Sequence, residues 1–431
     1  MMSNQSRSLF FFLCDLIILF LVFSLTSFII TYTGHDNPMS GIEMAIYGIF
    51  SMLLLLMFFI EGIYTLETFE INQLPVSLIR GSAFALMLSV SIFSIISINS
   101  PVRSPMFLII NSLTLPYLIY VVRSKLFSHF SQEQYLRETI LIGSSETLKM
   151  AQTEASRRPF LGFKIMNTFT PDQLVMENFS ASTYLLAVEK NLLHKFSHPG
   201  MEIIDIACFA EQVSGKIPLS SISEEWLLEY NKSRDSYLYR FTKSAFDKSI
   251  ALILMVFLIP VALVLFPILL IVHGRPIFFK QSRTGLNNKE FTLYKLRSMI
   301  VNAESNGAQW SKPGDVRITP LGKWLRKTRL DELPQLYNIL KGDMSLVGPR
   351  PERPEIIKDN LAPQIPLYHL RHLVKPGVTG WAQVAFRYGY STEDSKEKLQ
   401  YDLFYIKNRG FWVDVIIIIK TIKTVLTGAG Q

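Results

Sequence analysis

Long uncharged runs dominate the first third of the chain. Each is close to the roughly 20 residues that cross the hydrocarbon core of a bilayer, and the four cover Ser8 to Tyr32, Met44 to Ile60, Gly81 to Ile98 and Met106 to Val122. They predict a bundle of four transmembrane α-helices within residues 1–125. The first run carries one charge, Asp15, and lacks a small-residue cleavage site, which favours a span over a signal peptide.

The distribution of Lys and Arg around these runs predicts their orientation. The first connecting loop, Gly34 to Glu43, has neither residue, whereas Arg123, Lys125 and Arg137 follow the fourth run. The positive-inside rule then places the N-terminus and all residues after 123 in the cytoplasm. Arg103, which falls on an outside loop in this arrangement, is an exception.

Shorter apolar runs separated by polar stretches predict a small α/β domain over residues 137–235. The strand-like runs are Thr139 to Ile142, Phe163 to Met166, Thr183 to Val188 and Ile203 to Phe209. Gly143 lies where a dinucleotide-binding fingerprint would begin, but the later glycines of G-x-G-x-x-G are missing. The pattern favours a degenerate Rossmann-like domain with a regulatory or assembly role over a working NAD site.

A fifth apolar run, residues 250–272, is long enough to span but has basic residues near both ends. Pro260 and Pro267 fall within it, and proline removes a backbone hydrogen bond and bends a helix. The run could therefore enter and leave the membrane on one face, or it could be a fifth span with tolerated prolines. The hydrophobic pattern alone leaves both alternatives open, because re-entrant backbone has to be satisfied by other protein.

The region after this run is strongly basic. Residues 275–329 hold twelve Lys or Arg and three acidic residues, interleaved with glycine and aromatic residues. Such a patch suits phosphate groups, which Arg often binds bidentately. Nucleic acid is the competing ligand, but the patch follows directly on a membrane-embedded segment, so we expect no nucleic-acid partner.

Two adjacent carboxylates, Asp331 and Glu332, come directly after these cations. One carboxylate can attack phosphorus, and the other can hold a Mg²⁺ that neutralises a diphosphate. Taken alone, the pair is better explained as the acidic first turn of a helix that begins near Asp331. The functional interpretation gains weight from the rigid turn Pro349-Arg350-Pro351 and from the blocks Val374 to Gln383 and Tyr401 to Asn408.

The composition agrees with a division into membrane and basic parts. Hydrophobic residues make up 49% of the 431 residues and charged residues 18%, against roughly 25% charged in a soluble chain. The net charge of +8 indicates anionic partners such as lipid headgroups and phosphates. The two cysteines, Cys14 and Cys208, predict neither a disulfide framework nor a zinc site.

Taken together, the blocks between about Lys243 and Leu426 resemble the bacterial sugar transferase family, the monotopic polyprenyl-phosphate phosphoglycosyl transferases. This resemblance implies an enzyme that transfers a hexose-1-phosphate from a UDP-sugar to undecaprenyl phosphate and releases UMP. It also implies an α-rich catalytic domain over residues 243–431 that is held in membrane lipid by a re-entrant helix at 250–272. Phe246-Asp247 and Pro260 match the family's proline-broken helix, although Ile259 stands where Ser is frequent.

The resemblance assigns roles to individual residues. Asp331 would form a covalent phospho-sugar intermediate, and Glu332 would act with Mg²⁺. Substrate binding falls on the basic residues at matching positions, Lys295, Arg297, Arg326 and Arg350. Arg329 stands where many relatives have Ser.

The four leading spans and the α/β domain resemble the family's large subclass, which initiates exopolysaccharide, capsule or O-antigen synthesis at the bacterial inner membrane. No residue identifies the sugar, and a homodimer formed through the α/β domain is a hypothesis. The alternative function is an inert membrane assembly or regulatory protein of a polysaccharide system, against which the intact Asp331-Glu332 pair with Arg350 argues. A transporter is disfavoured by the large basic cytoplasmic half.

The last apolar run, Phe411 to Val425, contains Asp414, Lys420 and Lys423. The pattern favours an interfacial amphipathic helix whose lysines face lipid headgroups over a sixth span. An ordinary helix packed in the core remains open as the alternative.

Overall fold

The computed structural model describes residues 4–32, 41–64, 74–97, 106–132, 136–143, 145–158, 161–170, 185–190, 192, 202–222, 237–301, 303, 314–365, 367–386 and 391–426. The chain divides into two compact units, Met1–Gly215 and Lys216–Gln431. Each unit has its own hydrophobic core. Residues 34–40 and Arg103, on which the predicted orientation partly depends, lie outside the described residues, as does Thr183.

The four apolar runs of the first unit fold as the helices α1 (Asn4–Tyr32), α2 (Gly41–Ile60), α3 (Leu74–Ser97) and α4 (Met106–Phe130). In the described part of the chain, the segments Leu9–Ile29 of α1 and Leu74–Ser94 of α3 are single helices long and apolar enough to cross a membrane. Met44–Ile60 of α2 is apolar but shorter. The prediction of N-terminal apolar helices is confirmed, whereas the number of spans stays a prediction.

A fully buried ion pair joins α1 to α4. Arg123 Nη2 lies 2.6 Å from Asp15 Oδ2, and neither side chain has exposed surface. Tyr64 donates its hydroxyl to the same oxygen at 2.7 Å, and Arg123 Nη1 donates to the carbonyl of Ile63 at 3.2 Å. The charge inside the first apolar run is thus neutralised within the protein, where a lone charge facing hydrocarbon would be costly.

The first unit continues with a parallel four-stranded sheet and flanking helices. The strands β1 (Arg137–Ile142), β2 (Phe163–Phe169), β3 (Leu185–Val188) and β4 (Glu202–Asp205) lie in the order β2-β1-β3-β4, with α5 (Ser145–Arg157) after β1 and α6 (Ile206–Ser214) after β4. The order places a topological switch point between β1 and β3, as in doubly wound sheets. A parallel α/β arrangement is therefore present, and its relation to Rossmann folds stays a prediction.

The predicted fourth strand is wrong in its second half. The pattern predicts a strand from Ile203 to Phe209, but β4 ends at Asp205 and α6 begins at the next residue. Asp205 Oδ1 accepts a hydrogen bond from Ala207 N at 3.1 Å and so satisfies one of the unpaired N–H groups that begin a helix. A continuous apolar run conceals this change, because strand and helix can both bury it.

The second unit begins with two apolar helices that meet at a sharp bend. The axes of α7 (Tyr237–Phe257) and α8 (Ile259–His273) are inclined by 62°. Pro260 lies in the first turn of α8, where its missing N–H interrupts the helical hydrogen bonds. Pro267 lies inside α8 without ending it. A broken span and a re-entrant segment share this geometry, so the re-entrant course stays a prediction.

Two small sheets and a group of helices complete this unit. β5 (Phe278–Thr284) pairs antiparallel with β6 (Glu290–Leu296), and β7 (Ser345–Val347) pairs in parallel with β8 (Gly377–Thr379). The helices are α9 (Pro320–Lys327), α10 (Gln335–Lys341), α11 (Trp381–Ala385), α12 (Thr392–Asn408) and α13 (Phe411–Leu426), with short helical turns at Leu330–Glu332, within 354–364 and at Tyr368–Leu373. The expectation of an α-rich C-terminal domain is confirmed.

Charged side chains of α13 point into the unit. Asp414 Oδ2 lies 2.7 Å from Lys243 Nζ. Lys420 is buried, with Nζ 4.9 Å from the centre of the Trp381 ring. Trp412, in contrast, is 74% exposed. The expectation that the lysines of this helix face headgroups is wrong for Lys420. A cation–π contact with Trp381 stabilises the buried charge of Lys420, and the ion pair with Lys243 does the same for Asp414.

Candidate active site

The two adjacent carboxylates lie on a tight turn between α9 and α10. α9 ends at Lys327, and Arg329 has a left-handed backbone (φ 59°), which few residues other than glycine adopt. This reversal starts the 3₁₀ turn Leu330–Glu332 where the sequence predicts the start of an α-helix. A 3₁₀ helix has about three residues per turn, so neighbouring side chains point in different directions. Asp331 and Glu332 therefore face different partners.

Asp331 presents an unpartnered carboxylate oxygen. The residue is 6% exposed, and Oδ1 is buried with no hydrogen-bond donor among the described residues. Burial raises the pKa of Asp331 and the charge of Glu332 raises it further, against the charges of Lys295, Arg326 and Arg350. A carboxylate oxygen left free among cations suits attack on an electron-poor centre such as phosphorus.

Glu332 gathers three cations on one oxygen. Its Oε1 lies 2.7 Å from Arg350 Nη2, 3.4 Å from Lys295 Nζ and 3.5 Å from Arg329 Nη1. Burial alone would raise the pKa of Glu332, but these cations outweigh it and hold the pKa of this carboxyl far below its usual range. Glu332 therefore stays ionised and draws the cations of the site together.

The carboxylate pair fits a Mg²⁺ ion held together with a ligand. Mg²⁺ usually binds one or two protein carboxylates and completes its shell with water and substrate phosphates. Asp331 Oδ1 is a buried oxygen without a hydrogen-bond donor among the described residues, and Glu332 is the adjacent carboxylate. The described residues contain no group of three or more His, Cys, Asp or Glu that could hold a metal alone. A site of this kind would thus need the substrate's oxygens.

Lys295 and Arg297 lie in different surroundings although they are two residues apart. Lys295, on β6, reaches Glu332, and burial lowers the pKa of Lys295 to about 8, against the raising effect of the Glu332 charge. Arg297 follows the last residue of β6 and donates to the carbonyls of His273 and Gly274, the latter at 3.2 Å. These carbonyls end α8, where a cation is favourable. The structure therefore brings Lys295, and not Arg297, to the carboxylates.

Arg326 and Arg350 approach the carboxylates from two sides. Arg326, in the last turn of α9, donates from Nε to Ser298 Oγ at 2.9 Å, and its charge acts on Asp331. Arg350 follows β7 and extends to Glu332, with its side chain 38% exposed. The structure thus collects Lys295, Arg326 and Arg350 around the Asp331-Glu332 pair.

Two buried residues behind Arg350 are not among the predicted site residues. Arg371 donates from Nη2 to the carbonyl of Arg350 at 2.9 Å. The same nitrogen lies 2.7 Å from Asp402 Oδ2, and both side chains are buried. A lone acid in the apolar block Tyr401 to Asn408 is a sequence signal for Asp402, because a buried acid needs a partner. Arg371 lies in a short polar stretch and has no comparable signal.

A buried carboxylate oxygen among cations, in a unit that also carries exposed apolar helices, is an arrangement suited to anionic ligands near lipid. The chain belongs to the bacterial sugar transferase family, whose sequence profile matches residues 238–428. This match confirms the family resemblance found in the sequence. It covers α7 to α13 and therefore all the site residues described above.

Several curated relatives are similar to this part of the chain. A UDP-N-acetylgalactosamine-undecaprenyl-phosphate N-acetylgalactosaminephosphotransferase of Aeromonas hydrophila is 40% identical over 228 residues, which are 53% of this chain and 53% of that protein. A UDP-glucose:undecaprenyl-phosphate glucose-1-phosphate transferase of Xanthomonas campestris pv. campestris is 38% identical over 50% of this chain and 44% of that protein. The chain thus spans about half the length of these two relatives.

One relative matches a longer stretch. An undecaprenyl-phosphate galactose phosphotransferase of Salmonella typhimurium is 30% identical over 336 residues, which are 68% of this chain and 69% of that protein. The similarity to this relative therefore extends beyond the C-terminal unit, since that unit alone, Lys216–Gln431, is shorter than the matched stretch.

Proposed function

We propose that this protein transfers a hexose-1-phosphate from a UDP-sugar to undecaprenyl phosphate and releases UMP. The observation that carries the proposal is the buried, unpartnered Oδ1 of Asp331 beside Glu332 and its cations. The names of the relatives from Aeromonas, Xanthomonas and Salmonella, each a phosphotransferase or sugar-phosphate transferase acting on undecaprenyl phosphate, support it.

The reaction takes two displacements at one phosphorus. In the first, an Asp331 carboxylate oxygen bonds to the phosphorus that bears the sugar, and the bond from that phosphorus to the bridging oxygen of the diphosphate breaks. UMP leaves with the bridging oxygen. In the second, a phosphate oxygen of undecaprenyl phosphate bonds to the same phosphorus and the acyl-phosphate bond breaks, which restores the Asp331 carboxylate and gives the lipid diphospho-sugar.

The cations have separate tasks in this scheme. Lys295, Arg326 and Arg350 bind phosphate oxygens of the donor and oppose the charge that builds up on them as UMP leaves. Arg350 is placed to move from Glu332 to a phosphate because its side chain is partly exposed. Arg297 holds the end of α8 through the carbonyls of His273 and Gly274, so we propose that it supports substrate binding only through that helix.

We further propose Mg²⁺ as the cofactor, with Glu332 as its protein ligand. A bound Mg²⁺ supplies charge neutralisation at the diphosphate. Glu332 is ionised under all ordinary conditions because the pKa of its carboxyl is held far below the usual range by nearby cations. The ion would also compete with Arg350 for Glu332 and so free that side chain for the donor.

The helices α7 and α8 support a proposal for the placement in the membrane. Their exposed side chains are mostly large and apolar, as at Leu252, Phe257, Leu263 and Ile271, and such a surface suits lipid. We propose that the 62° bend at Pro260 returns the chain to the cytoplasmic face of the inner membrane. The site and its nucleotide donor then share the cytoplasm, and the lipid acceptor is reached from the same face.

The wider setting rests on the resemblance of the sequence to the large subclass of the family. We propose that the reaction begins the synthesis of a surface polysaccharide, such as exopolysaccharide, capsule or O-antigen. Glucose, galactose and N-acetylgalactosamine occur in the relatives' names, so the similarity does not select one sugar. An inert assembly protein, the alternative function, has no need of a buried carboxylate oxygen without a donor. Dimerisation through the α/β domain remains a proposal for a separate test.

A transfer assay tests the proposed reaction. Membranes containing the protein are incubated with undecaprenyl phosphate and, in turn, labelled UDP-glucose, UDP-galactose and UDP-N-acetylgalactosamine. We expect UMP and a labelled lipid with one donor, and neither product from the Asp331→Asn variant. Asp343→Asn is the matched control, because this acid follows α10 in the same unit and, among the described residues, its ion pair is with the exposed Lys341 and not with the cations of the site. Release of UDP in place of UMP would overturn the mechanism.

A further inference from the structure

The turn that carries Arg350 is held along its whole backbone. Four consecutive carbonyls, those of residues 349–352, each accept a hydrogen bond. Their donors, in chain order of the carbonyls, are Gly377 N at 3.0 Å, Arg371 Nη2 at 2.9 Å, Arg283 Nη1 at 3.0 Å and Thr284 N at 3.0 Å. The donors belong to three different elements, β8, the 3₁₀ helix Tyr368–Leu373 and β5. No single element therefore determines the position of this turn.

The two prolines add to this restraint. The rings of Pro349 and Pro351 fix their own φ angles, and neither residue has an N–H group. With every carbonyl of the turn bonded, the backbone of Arg350 has little freedom left. The Arg350 side chain therefore starts from a fixed point, and its Nη2 reaches Glu332 Oε1 at 2.7 Å.

Two of the four donors are side chains, and both are arginines with an acidic partner. Arg371 is 8% exposed and lies 2.7 Å from Asp402, which is 1% exposed. Arg283 lies 3.1 Å from Glu352 Oε1. A buried guanidinium is tolerated only when paired. Asp402 is the acid that pairs with Arg371, and the Tyr368 hydroxyl accepts a hydrogen bond from Arg371 Nη1. These ion pairs do not include Asp331 or Glu332.

We infer that Arg371 and Arg283 are positioning residues that hold the turn 349–352, with Asp402 as the counter-ion that keeps Arg371 buried. They place Arg350 so that its guanidinium meets the phosphate of the donor, and they act on the reaction only through Arg350. This inference rests on the proposed function, because Arg350 is assigned to the donor phosphate there. Asp402 has no contact with the substrate in this scheme.

A second buried ion pair provides a matched control. Asp414 lies 2.7 Å from Lys243 Nζ, which is the same separation as between Asp402 and Arg371. Both acids are on C-terminal helices of the same unit and both are almost fully buried. Asp414, however, contacts Lys243 and the hydroxyl of Tyr405. That hydroxyl also donates to the carbonyl of Val347, so this network reaches β7 and not the carbonyls of residues 349–352. Asp414→Asn therefore reports what the loss of a buried acid does to the unit when these four carbonyls keep their donors.

Double-variant kinetics give the deciding measurement. We expect Asp402→Asn and Arg283→Lys each to lower kcat by about a hundredfold, since a small misplacement of a catalytic group has that effect. Combined with Arg350→Ala, each should lower kcat by less than about twofold further, because the residue they position is gone. Asp402→Glu should restore part of the activity. Equal losses in both backgrounds would overturn the inference.

Hydrogen exchange tests the restraint without relying on activity. Amide exchange at Thr284, whose N–H donates to the carbonyl of Glu352, should be at least about tenfold faster in Asp402→Asn than in the wild type, because this hydrogen bond is lost when the turn opens. Asp414→Asn should leave exchange at Thr284 unchanged, even where it lowers the melting temperature by as much. Unchanged exchange in Asp402→Asn would overturn the inference. If the wild type makes no lipid product, the proposed function fails and exchange still decides whether these residues hold the turn.

Discussion

Arg350 Nη2 lies 2.7 Å from Glu332 Oε1, and the two side chains differ in exposure: 38% for Arg350 and 9% for Glu332. The acid is thus fixed inside the site, and the cation is the partner that solvent and ligands can reach. Because Arg350 is accessible, an anionic substrate can bind its guanidinium and separate it from Glu332. The pair joins the turn after β7 to the turn before α10, so substrate binding at Arg350 acts directly on the carboxylate pair.

Removal of the Arg350 charge should affect catalysis far more than stability. Because the guanidinium is partly exposed, its ion pair contributes only about 0–1 kcal/mol, and Glu332 keeps Lys295 and Arg329 as partners. Loss of a charge that opposes the developing negative charge costs about a hundredfold or more in rate. We therefore expect Arg350→Gln to lower kcat at least that far, with a melting temperature close to that of the wild type in a detergent thermal melt.

Lys358→Gln is the control for this prediction. Lys358 lies eight residues after Arg350 and is exposed. Its substitution should keep kcat within about twofold, as for a surface change. A large rate loss in Lys358→Gln, or a small one in Arg350→Gln, would show that the Arg350 charge is not what the reaction depends on.

The covalent step predicts that the labelled phospho-sugar can be trapped on the protein. Wild-type protein incubated with a UDP-sugar labelled in the sugar, without lipid acceptor, should carry label on one site, and peptide mapping should place it on Asp331. Asp331→Asn should carry none, because an amide does not attack phosphorus in this way. Glu332→Gln should label slowly, since Asp331 is retained while three cations lose their shared acid. Lipid product formed by a protein that never carries label would favour direct transfer.

The course of α7 and α8 is tested by cysteine accessibility. In a background of Cys14→Ser and Cys208→Ser, Lys289→Cys places a thiol on the exposed loop between β5 and β6. A re-entrant course keeps this loop in the cytoplasm, so an impermeant maleimide should label it only after permeabilisation. Asn37→Cys, in the loop that the charge pattern predicts outside, is the control that should react in intact cells. Labelling of Lys289→Cys in intact cells would establish a span.

The parts of the fold that follow local rules could be predicted from the sequence. Long apolar runs become helices because an apolar segment of that length satisfies its own backbone, and a proline breaks a helix where it lies. The bend at Pro260 falls inside the predicted run for this reason. Pro267 has the same local chemistry and leaves α8 intact. Which of the two prolines breaks the helix therefore depends on their surroundings.

The side chains of the site depend on tertiary structure and were predicted less well. Strand alternation would put Lys295 and Arg297 on one face, but β6 ends at Leu296, and Arg297 turns to the end of α8. Which of two basic residues meets a carboxylate thus depends on where a strand ends. The contact of Arg371 with Asp402 joins residues far apart in sequence, and the spacing of residues along the chain predicts only local contacts.

The low pKa of Lys295 predicts pH-dependent binding of UMP. Burial lowers the pKa of this side chain to about 8, so the cation is present below that pH and is lost above it. The phosphate of UMP, with a second pKa of about 6, stays almost fully doubly charged from about pH 7 to 9.5. A charge-assisted hydrogen bond contributes about 1.5–3 kcal/mol, so we expect affinity in metal-free buffer to fall by roughly tenfold or more as pH rises through about 8. Lys295→Arg should bind equally across this range, and calorimetry of both proteins is the measurement.

The buried pair between Asp15 and Arg123 predicts a stability effect in the first unit. Removal of one member leaves an uncompensated buried charge, which costs about 3–5 kcal/mol. Replacement of both members by apolar residues of similar volume is often neutral. We therefore expect Arg123→Met alone to lower the melting temperature in detergent strongly, and Arg123→Met with Asp15→Leu to recover most of the loss.

Tyr64 sharpens that test, because its hydroxyl donates to Asp15 Oδ2 at 2.7 Å. In the double variant this hydroxyl loses its acceptor inside the protein, which costs about 1–3 kcal/mol. Addition of Tyr64→Phe to the double variant should recover the stability that is lost in this way. Arg157→Met should change the melting temperature little, because the Arg157 side chain is exposed, its partner Glu154 keeps Arg158, and ion pairs with an exposed member contribute about 0–1 kcal/mol. If Arg123→Met behaves like Arg157→Met, the charges of α1 and α4 do not hold these helices together, and the packing of their apolar side chains does.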